Sequence, residues 1–346
     1  MSHDTEHPRI VVVGSSNTDM VIRTAHLPRP GETILGGEFQ SVPGGKGANQ
    51  AVAAARAGGQ VTFVACVGND SLGTESIANF QRDGIDVSHV TQTPSAASGV
   101  ALIMVSEAGE NCIAVASGAN ALLTPADIER ARPAIREAKV LLVQLETPLE
   151  TVQAAVRIAG EERVPVILNP APAAILSDEL LRGVSLLTPN ETEAEILTGI
   201  PETEQASAEQ AARTLLQRGV KGVIVTLGSK GALLATHERM ELIPTRAVQA
   251  VDTTAAGDVF NGALAVALAE GKPLPDAVRF ANAAASISVT RHGAQPSAPR
   301  RDEIEGLMPQ QPSQSWPCRP GSAKHIPHGM SPDFDEPLED FKEDTE

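Results

Sequence analysis

Short apolar runs that alternate with amphipathic or Ala-rich stretches constrain this chain more than any other feature. RIVVV (9–13), QVTFVACVG (60–68), VLLVQL (140–145), VPVILNP (164–170), VSLLTPN (184–190) and GVIVTLG (222–228) read as buried strands. Between them, SLGTESIANFQRDG, TPADIERARPAIREA, LETVQAAVRIAGEE, TEQASAEQAARTLLQRG and LPDAVRFANAAASISVTRHG read as helices. Strands separated by helices of this length imply βαβ units, and so a parallel, doubly wound sheet covered on both faces. GVALIMVS (99–106), NCIAVAS (111–117) and GALLAT (231–236) are further strand candidates, and residues 18–42 alternate apolar and polar positions with Pro and Gly breaks, as short, partly exposed strands do. No internal repeat is visible. Residues 309–346 lose apolar periodicity and are rich in Pro, Gly, Ser and acids, so a disordered acidic tail is expected there.

Charge and composition narrow the partners. A formal net charge of -16 argues against nucleic acid or an anionic membrane, since phosphate contacts need clustered Lys and Arg. The 3 cysteines, Cys66, Cys112 and Cys318, have no metal-ligand spacing and fit reduced thiols. MSHDTEHPRI lacks a basic-then-apolar signal pattern and no apolar run approaches a membrane span, so a cytoplasmic location is expected. Aromatics make up 2% with no Tyr, which leaves few platforms for stacking a base or sugar ring.

Polar residues gather where the strands end, the edge at which open α/β sheets bind ligands. GSSNTD places Asn17 and Asp19 after the first strand; they suit a polyol, and taken alone a polar turn is the plainer reading. GGKGAN (44–49) is a Gly-rich start to an Ala-rich helix, with Gly45 open to positive φ and Lys46 and Asn49 supplying polar contacts; the spacing is not that of a Walker loop. Glu146 follows another strand and could accept a hydroxyl or favour a helix dipole. In TPNETEAEILTG the acids around Asn190, Glu193 among them, could cap a helix or hold a hydrated Mg²⁺ through water. VTLGSKG offers Thr226, Gly228, Ser229 and Gly231 to a nucleotide, or forms a hairpin turn, or both. Finally, VDTTAAGDVFNGALAVAL (251–268) feeds a loop into a helix N-terminus, with small residues Ala255, Ala256 and Gly257 beside the carboxylate of Asp258. A base next to such an anion site suggests phosphoryl or acyl transfer; acidic capping of a helix is the plainer alternative.

Taken in order, GSSNTD, RPGETILG, PGGKGANQAVAAARAG, GVALIMV, QLETPLE, LNPAPA, TPNETEAEILTG, VTLGSKG, DTTAAGDVFNGAL and RHGAQPS resemble the PfkB carbohydrate kinase family, and within it the ribokinase branch, from about Arg9 to about Leu307. The resemblance implies a ribokinase-like three-layer α/β/α sandwich with a central, mostly parallel sheet, a kinase domain over 1–308, and a small β-sheet lid built from about 18–42 and 97–116. It implies ATP-dependent phosphorylation of D-ribose at its 5-hydroxyl, with Mg²⁺ and K⁺ as cofactors and a homodimer formed through the lids. By the same resemblance Asn17, Asp19, Gly45, Lys46, Asn49 and Glu146 hold the sugar, and Asp258 is the base. Ala255, Ala256 and Gly257 form the anion hole. Asn190, Thr226, Gly228, Ser229, Gly231 and Asn282 contact the nucleotide, and Glu193 with Asn190 serves Mg²⁺. Asp252, Thr254, Ser288, Arg291, Gly293 and Ser297 surround K⁺, several through backbone carbonyls. A kinase for deoxyribose, another small sugar or a nucleoside, or a catalytically silent sugar-binding regulator, are the alternatives; acyl transfer drops out.

Overall fold

The computed structural model describes residues 8–35, 37–201 and 205–308. Nine strands form one sheet: β1 (Arg9–Val13), β4 (Gln60–Gly68), β5 (Asp86–Thr93), β8 (Val140–Val143), β9 (Val166–Leu168), β10 (Leu186–Leu187), β11 (Gly222–Thr226), β12 (Ala232–Thr236) and β13 (Met240–Ile243). Their order is β13-β12-β11-β10-β9-β8-β1-β4-β5. The pairs from β5 to β11 are parallel, and β12 and β13 close one edge as an antiparallel meander.

The continuous apolar character of β1 has a direct structural cause. Successive side chains of a strand point to opposite faces, and here Val11 and Val13 enter one core while Ile10 and Val12 enter the other. The first core packs the helices Leu149–Glu161 and Gln205–Gln217; the second packs Lys46–Arg56, Ala256–Ala269 and Leu274–Ser288. A sheet buried on both sides has no polar face, so strands read as apolar runs rather than alternations.

A second, separate sheet has four strands, in the order β3-β2-β6-β7: β2 (Asn17–Thr24), β3 (Glu38–Gly44), β6 (Gly99–Ser106) and β7 (Asn111–Ala116). It grows out of the end of β1, because β2 begins after only Gly14–Ser16. Two polar clamps fix its roots. Asn120 accepts from Ser16 N (2.9 Å) and donates to Asn17 Oδ1 (2.7 Å). Asp70 caps the helix Ser71–Arg82 through Gly73 N and also accepts from Ser98 N (2.8 Å) and Ser98 Oγ (2.7 Å), just before β6.

Some local features differ from what the sequence implies. The expected single helix in 124–138 is two, Pro125–Arg130 and Arg132–Glu137, because Pro133 lacks an N–H and its ring would clash with the carbonyl of the preceding turn. The strand β5, DVSHVTQT, was not anticipated: it is an edge strand with mixed exposure and little apolar content. β13 was likewise missed. Cys66 is buried and Cys112 exposed, both as free thiols. The tail expected over 309–346, with Cys318, lies outside the described residues, as do Gly36 of RPGETILG and the first residues of the helix candidate at 203.

Candidate active site

Four glycines let backbones approach where the parallel strands end. Gly45 has φ +88, and a Cβ there would lie 2.7 Å from Asn17 N. A Cβ on Gly47 would lie 2.5 Å from Ser15 N, and one on Gly14 would lie 2.8 Å from the Cα of Gly47. The helix Lys46–Arg56 can therefore seat its first turn on the loop after β1, with Ala48 N donating to Ser15 O at 2.8 Å. That seating also brings Lys46 N within 3.0 Å of Glu146 Oε2, an oxygen that accepts from Ser15 Oγ as well. The helix Ala256–Ala269 arrives from the other side. Gly262 lets it cross the first helix closely: a Cβ there would lie 2.7 Å from both Gln50 O and the Cβ of Ala53.

This crossing delivers two amides to one carboxylate. Asn49 Nδ2 donates to Asp258 Oδ2 and Gln50 Nε2 to Asp258 Oδ1, each at 2.9 Å, and Asp258 is 5% exposed. Asp258 is thus held across the helix crossing rather than capping its own helix. That helix starts instead at Ala255, a non-glycine residue at φ 58, ψ 14, with no side-chain cap. A left-handed alanine costs on the order of 1 kcal/mol or more, and such strain concentrates at functional sites.

Ala255, Ala256, Gly257 and Asp258 line a polar cavity of about 160 Å³, together with Lys46, Asn190, Glu193 and Thr226. Its wall also carries Asn169, Ala171, Thr188, Thr253 and Asn261, which are not among the candidate residues of the sequence. An adjoining, mainly apolar pocket of about 320 Å³ shares Thr226, Thr253, Ala256 and Gly257 with the first. Gly228, Ser229, Gly231 and Asn282 line it, as sequence suggested, and so do the unanticipated Val248, Phe260 and Val289. Gly228–Lys230 is at once the turn between β11 and β12 and part of this wall, so both readings of VTLGSKG are true. Ala256 N donates to Thr253 O at 3.3 Å; the helix dipole and the remaining first-turn N–H groups favour an anion where the two spaces meet.

The electrostatics suit proton and phosphoryl chemistry. Burial pushes the Asp258 carboxyl above its usual range, against the opposing pull of Lys46 and of the Asn49 and Gln50 amides. Burial, reinforced by Glu146 and Asp258, raises Asp19 to about 6. Lys46 is buried too, which would lower it, but Asp258, Glu146 and Glu193 together hold its ammonium above the ordinary value. Burial also raises Glu193, although Asn190 N–H and Lys46 work the other way. Glu193 and Asn190 form a reciprocal capping box at the start of Glu191–Thr198, with Asn190 N donating to Glu193 Oε2 at 2.9 Å.

The residues expected around a monovalent cation cluster beside the 252–257 loop only in part through their side chains. Asp252 accepts from Thr254 N and Gly293 N, each at 2.9 Å. The Arg291 guanidinium instead pairs with Glu303, and the Ser288 and Ser297 hydroxyls donate to the carbonyls of Ala285 and Ala294. Of these residues only Asp252 brings a carboxylate, so any further donors would be neutral oxygens, a set that suits a singly charged cation better than a divalent one; among the described residues no group of three or more His, Cys, Asp or Glu forms a conventional metal cluster.

A doubly wound sheet with a helix N-terminus, a buried carboxylate beside it and an apolar slot next door is an arrangement suited to a small-molecule phosphotransferase. The sequence matches the pfkB family carbohydrate kinase profile over residues 7–301, and the chain belongs to that family. It is 47% identical over 294 residues to a ribokinase of Haemophilus influenzae, covering 85% of this chain and 96% of that one. A ribokinase structure from Thermotoga maritima superposes with TM-score 0.80 at 44% identity, covering 86% of this chain and 98% of the other. The Arabidopsis thaliana ribokinase complexed with ribose and ATP gives TM-score 0.81 at 36% identity, covering 87% and 98%.

Proposed function

We propose that this protein transfers the γ-phosphoryl group of ATP to the 5-hydroxyl of D-ribose, giving D-ribose 5-phosphate and ADP. The observation that carries the reading is Asp258, buried, held by two amide donors, and placed where the polar cavity meets the first-turn N–H groups of its helix. The sugar lies between the two sheets, with Asn17, Asp19, Gly45, Lys46, Asn49 and Glu146 around its hydroxyls. Asn49 Oδ1 is buried with no hydrogen-bond partner among the described residues, which leaves an acceptor for one of them. The adenine occupies the apolar pocket along Gly228, Ser229, Gly231 and Asn282, and the phosphates run past Thr226 and Asn190 to the anion hole at 255–257.

Asp258 takes the proton of the hydroxyl as its oxygen attacks phosphorus, and the N–H groups at 255–257 stabilise the charge spread over the transferring group. A raised carboxylate pKa brings the base nearer neutrality, where general bases work best. Mg²⁺ would supply charge neutralisation along the phosphates; Glu193 is the carboxylate that would hold it, through water. Asp252 with the carbonyls of Thr254, Ser288, Arg291, Gly293 and Ser297 would hold K⁺ and so set the shape of the anion hole without touching substrate.

The four-stranded sheet, built from segments close to 18–42 and 97–116, serves as a lid over the sugar. Its exposed Phe39, Leu102, Ile113 and Val115 support a homodimer formed lid to lid. No helix among the described residues is long and apolar enough to cross a membrane, and we place the enzyme in the cytoplasm.

Coupled ADP release over pentoses, hexoses and nucleosides tests the substrate: D-ribose should give the highest kcat/KM, deoxyribose less, nucleosides least, and K⁺ buffers faster turnover than Na⁺ buffers. A preference for a hexose or nucleoside, or no turnover with any of them, would refute the reading.

Asp19 adds a pH signature. With its carboxyl raised to about 6, acidification through that value removes a charged acceptor for sugar hydroxyls. The KM for ribose should climb as pH falls below about 6, while Asp19→Asn should start with a KM on the order of 10- to 100-fold higher, the worth of a hydrogen bond to a charged group, and show no such rise. An unchanged pH dependence in that variant would assign the acid limb to another group.

A further inference from the structure

A chain of buried amides runs from the strand ends to the base. Gln144, directly after β8, donates from Nε2 to Gln50 Oε1 at 2.6 Å. Gln50 in turn donates from Nε2 to Asp258 Oδ1 at 2.9 Å and to Asn169 Oδ1 at 3.0 Å, and Asn169 Nδ2 donates to Thr188 O at 3.1 Å. Gln50 and Gln144 are both 0% exposed. Neither meets solvent, and the sequence reading singled out neither for chemistry.

The orientations in this chain are mutually forced. An ionised carboxylate only accepts, so Gln50 must turn its NH₂ toward Asp258, which leaves its Oε1 needing a donor. Gln144 Nε2 is that donor. Flipping Gln50 would set Oε1 against the carboxylate and strand two donors among acceptor-less neighbours, a costly arrangement in a buried site. The arrangement is also one the backbone makes room for. A Cβ on Gly14 would lie 2.0 Å from Gln144 Oε1, so glycine at that point in the loop after β1 leaves the space the Gln144 amide fills. The Oε1 of Gln144 has no partner of its own among the described residues, so its amide is held in place by the bond it donates to Gln50.

We propose that Gln50 is a positioning residue for phosphoryl transfer, fixing the rotamer and ionisation of Asp258, and that Gln144 acts through it by locking its amide in the donating orientation. The proposal rests on Asp258 being the base. The other charged groups facing Asp258 are Lys46 at the start of the Lys46–Arg56 helix, Glu146 after β8, Glu193 on the Glu191–Thr198 helix and Asp19 on β2. Lys46 favours the charged form and the three acids disfavour it, and Gln50 and Asn49 supply the direct hydrogen bonds to it. Removing the Gln50 donor must raise the pKa at which the base loses its charge.

Gln50→Met and Gln144→Met keep the length of the side chain and remove the amide. Single-turnover transfer to ribose, followed from pH 5 to 8, reads the effect, with ribose affinity by calorimetry as the companion measurement. Gln50→Met should slow transfer about tenfold at pH 7 and move its acid limb up by about one pH unit, with ribose affinity within about threefold. Gln144→Met should produce the same changes at smaller amplitude, and the double variant should be no worse than Gln50→Met alone. If Gln50→Met does not fold, the Gln144→Met limb shift decides alone. A slower rate with an unmoved acid limb, or additive losses in the double variant, would overturn the proposal. Asp258→Asn, assayed in parallel, separates the two ideas: loss of transfer there with an unmoved limb in Gln50→Met sinks only the amide chain, whereas retained transfer sinks the base itself.

Discussion

Asp258→Asn is expected to lower kcat for ribose phosphorylation by about 10²- to 10⁴-fold, the usual worth of a positioned general base, and to leave KM for ribose within a few-fold. The same substitution should not weaken the fold. Burial raises the Asp258 carboxyl above its unfolded value, so its ionisation works against the folded state: stability is higher where the group is protonated and is lost as pH rises through the raised pKa. Removing the charge takes that penalty away at neutral pH. One amide donor, from Asn49 or Gln50, would then face the new NH₂ and must turn, which returns part of the gain. Melting temperature should therefore stay level or rise while activity collapses. A variant that loses activity because it melts earlier would place Asp258 in the structural core of the molecule rather than in its chemistry.

The second large effect is steric. At Gly262 a β-carbon would sit 2.7 Å from Gln50 O and 2.8 Å from Ala54 N, both backbone atoms that cannot rotate away. Gly262→Val should destabilise the protein by about 3 kcal/mol, the upper end for overpacking a close-packed interior. It should also cost activity beyond its effect on stability. Pushing the Ala256–Ala269 and Lys46–Arg56 helices apart separates Asp258 from Asn49 and Gln50, and a displacement of about 1 Å at a reacting group can cost on the order of 10²-fold. Gly160→Ala, in the helix Leu149–Glu161, is the control, because a Cβ there meets nothing within 4 Å. It should be neutral or stabilise by up to about 1 kcal/mol, since glycine is a poor helix former. Denaturant melts and initial rates on both variants check the contrast; equal behaviour would mean that the helix crossing does not need glycine.

The architecture was legible in the sequence wherever a strand is buried on both faces. Ile10, Val11, Val12 and Val13 alternate between two cores, and the run is apolar because both sides of the sheet are covered. Where a strand sits at an edge the signal fades, and β5 with Ser88, His89 and Gln92 looks like loop. In the site, the glycine-rich helix starts and Asp258 were readable because few residue types satisfy a positive φ, a close backbone approach or an anion.

The amides that organise the base were not. Asn and Gln carry no charge and recur with no period, so Gln50 reads as one more residue in an Ala-rich helix. A usable signal was present at the strand ends: Gln144, Asn169 and Thr188 each follow an apolar strand at the edge where open α/β sheets bind ligands, in VLLVQ, VILN and LLT. A polar residue at the C-terminal end of each of three neighbouring strands is a row of site residues. The apolar pocket was opaque for a different reason. Val248 lies on an irregular loop, Phe260 in the helix Ala256–Ala269 and Val289 just past the end of the helix Leu274–Ser288, so only the folded chain brings them together.

The most direct test of the central claim is to incubate the protein with ATP, Mg²⁺ and K⁺ and either D-ribose or 5-deoxyribose, and to follow phosphorus by ³¹P NMR. The account predicts a phosphomonoester on C5 of ribose, formed in step with ADP, and no sugar phosphate from 5-deoxyribose. Phosphorylation of 5-deoxyribose, or ADP release that yields only inorganic phosphate with ribose bound, would contradict it.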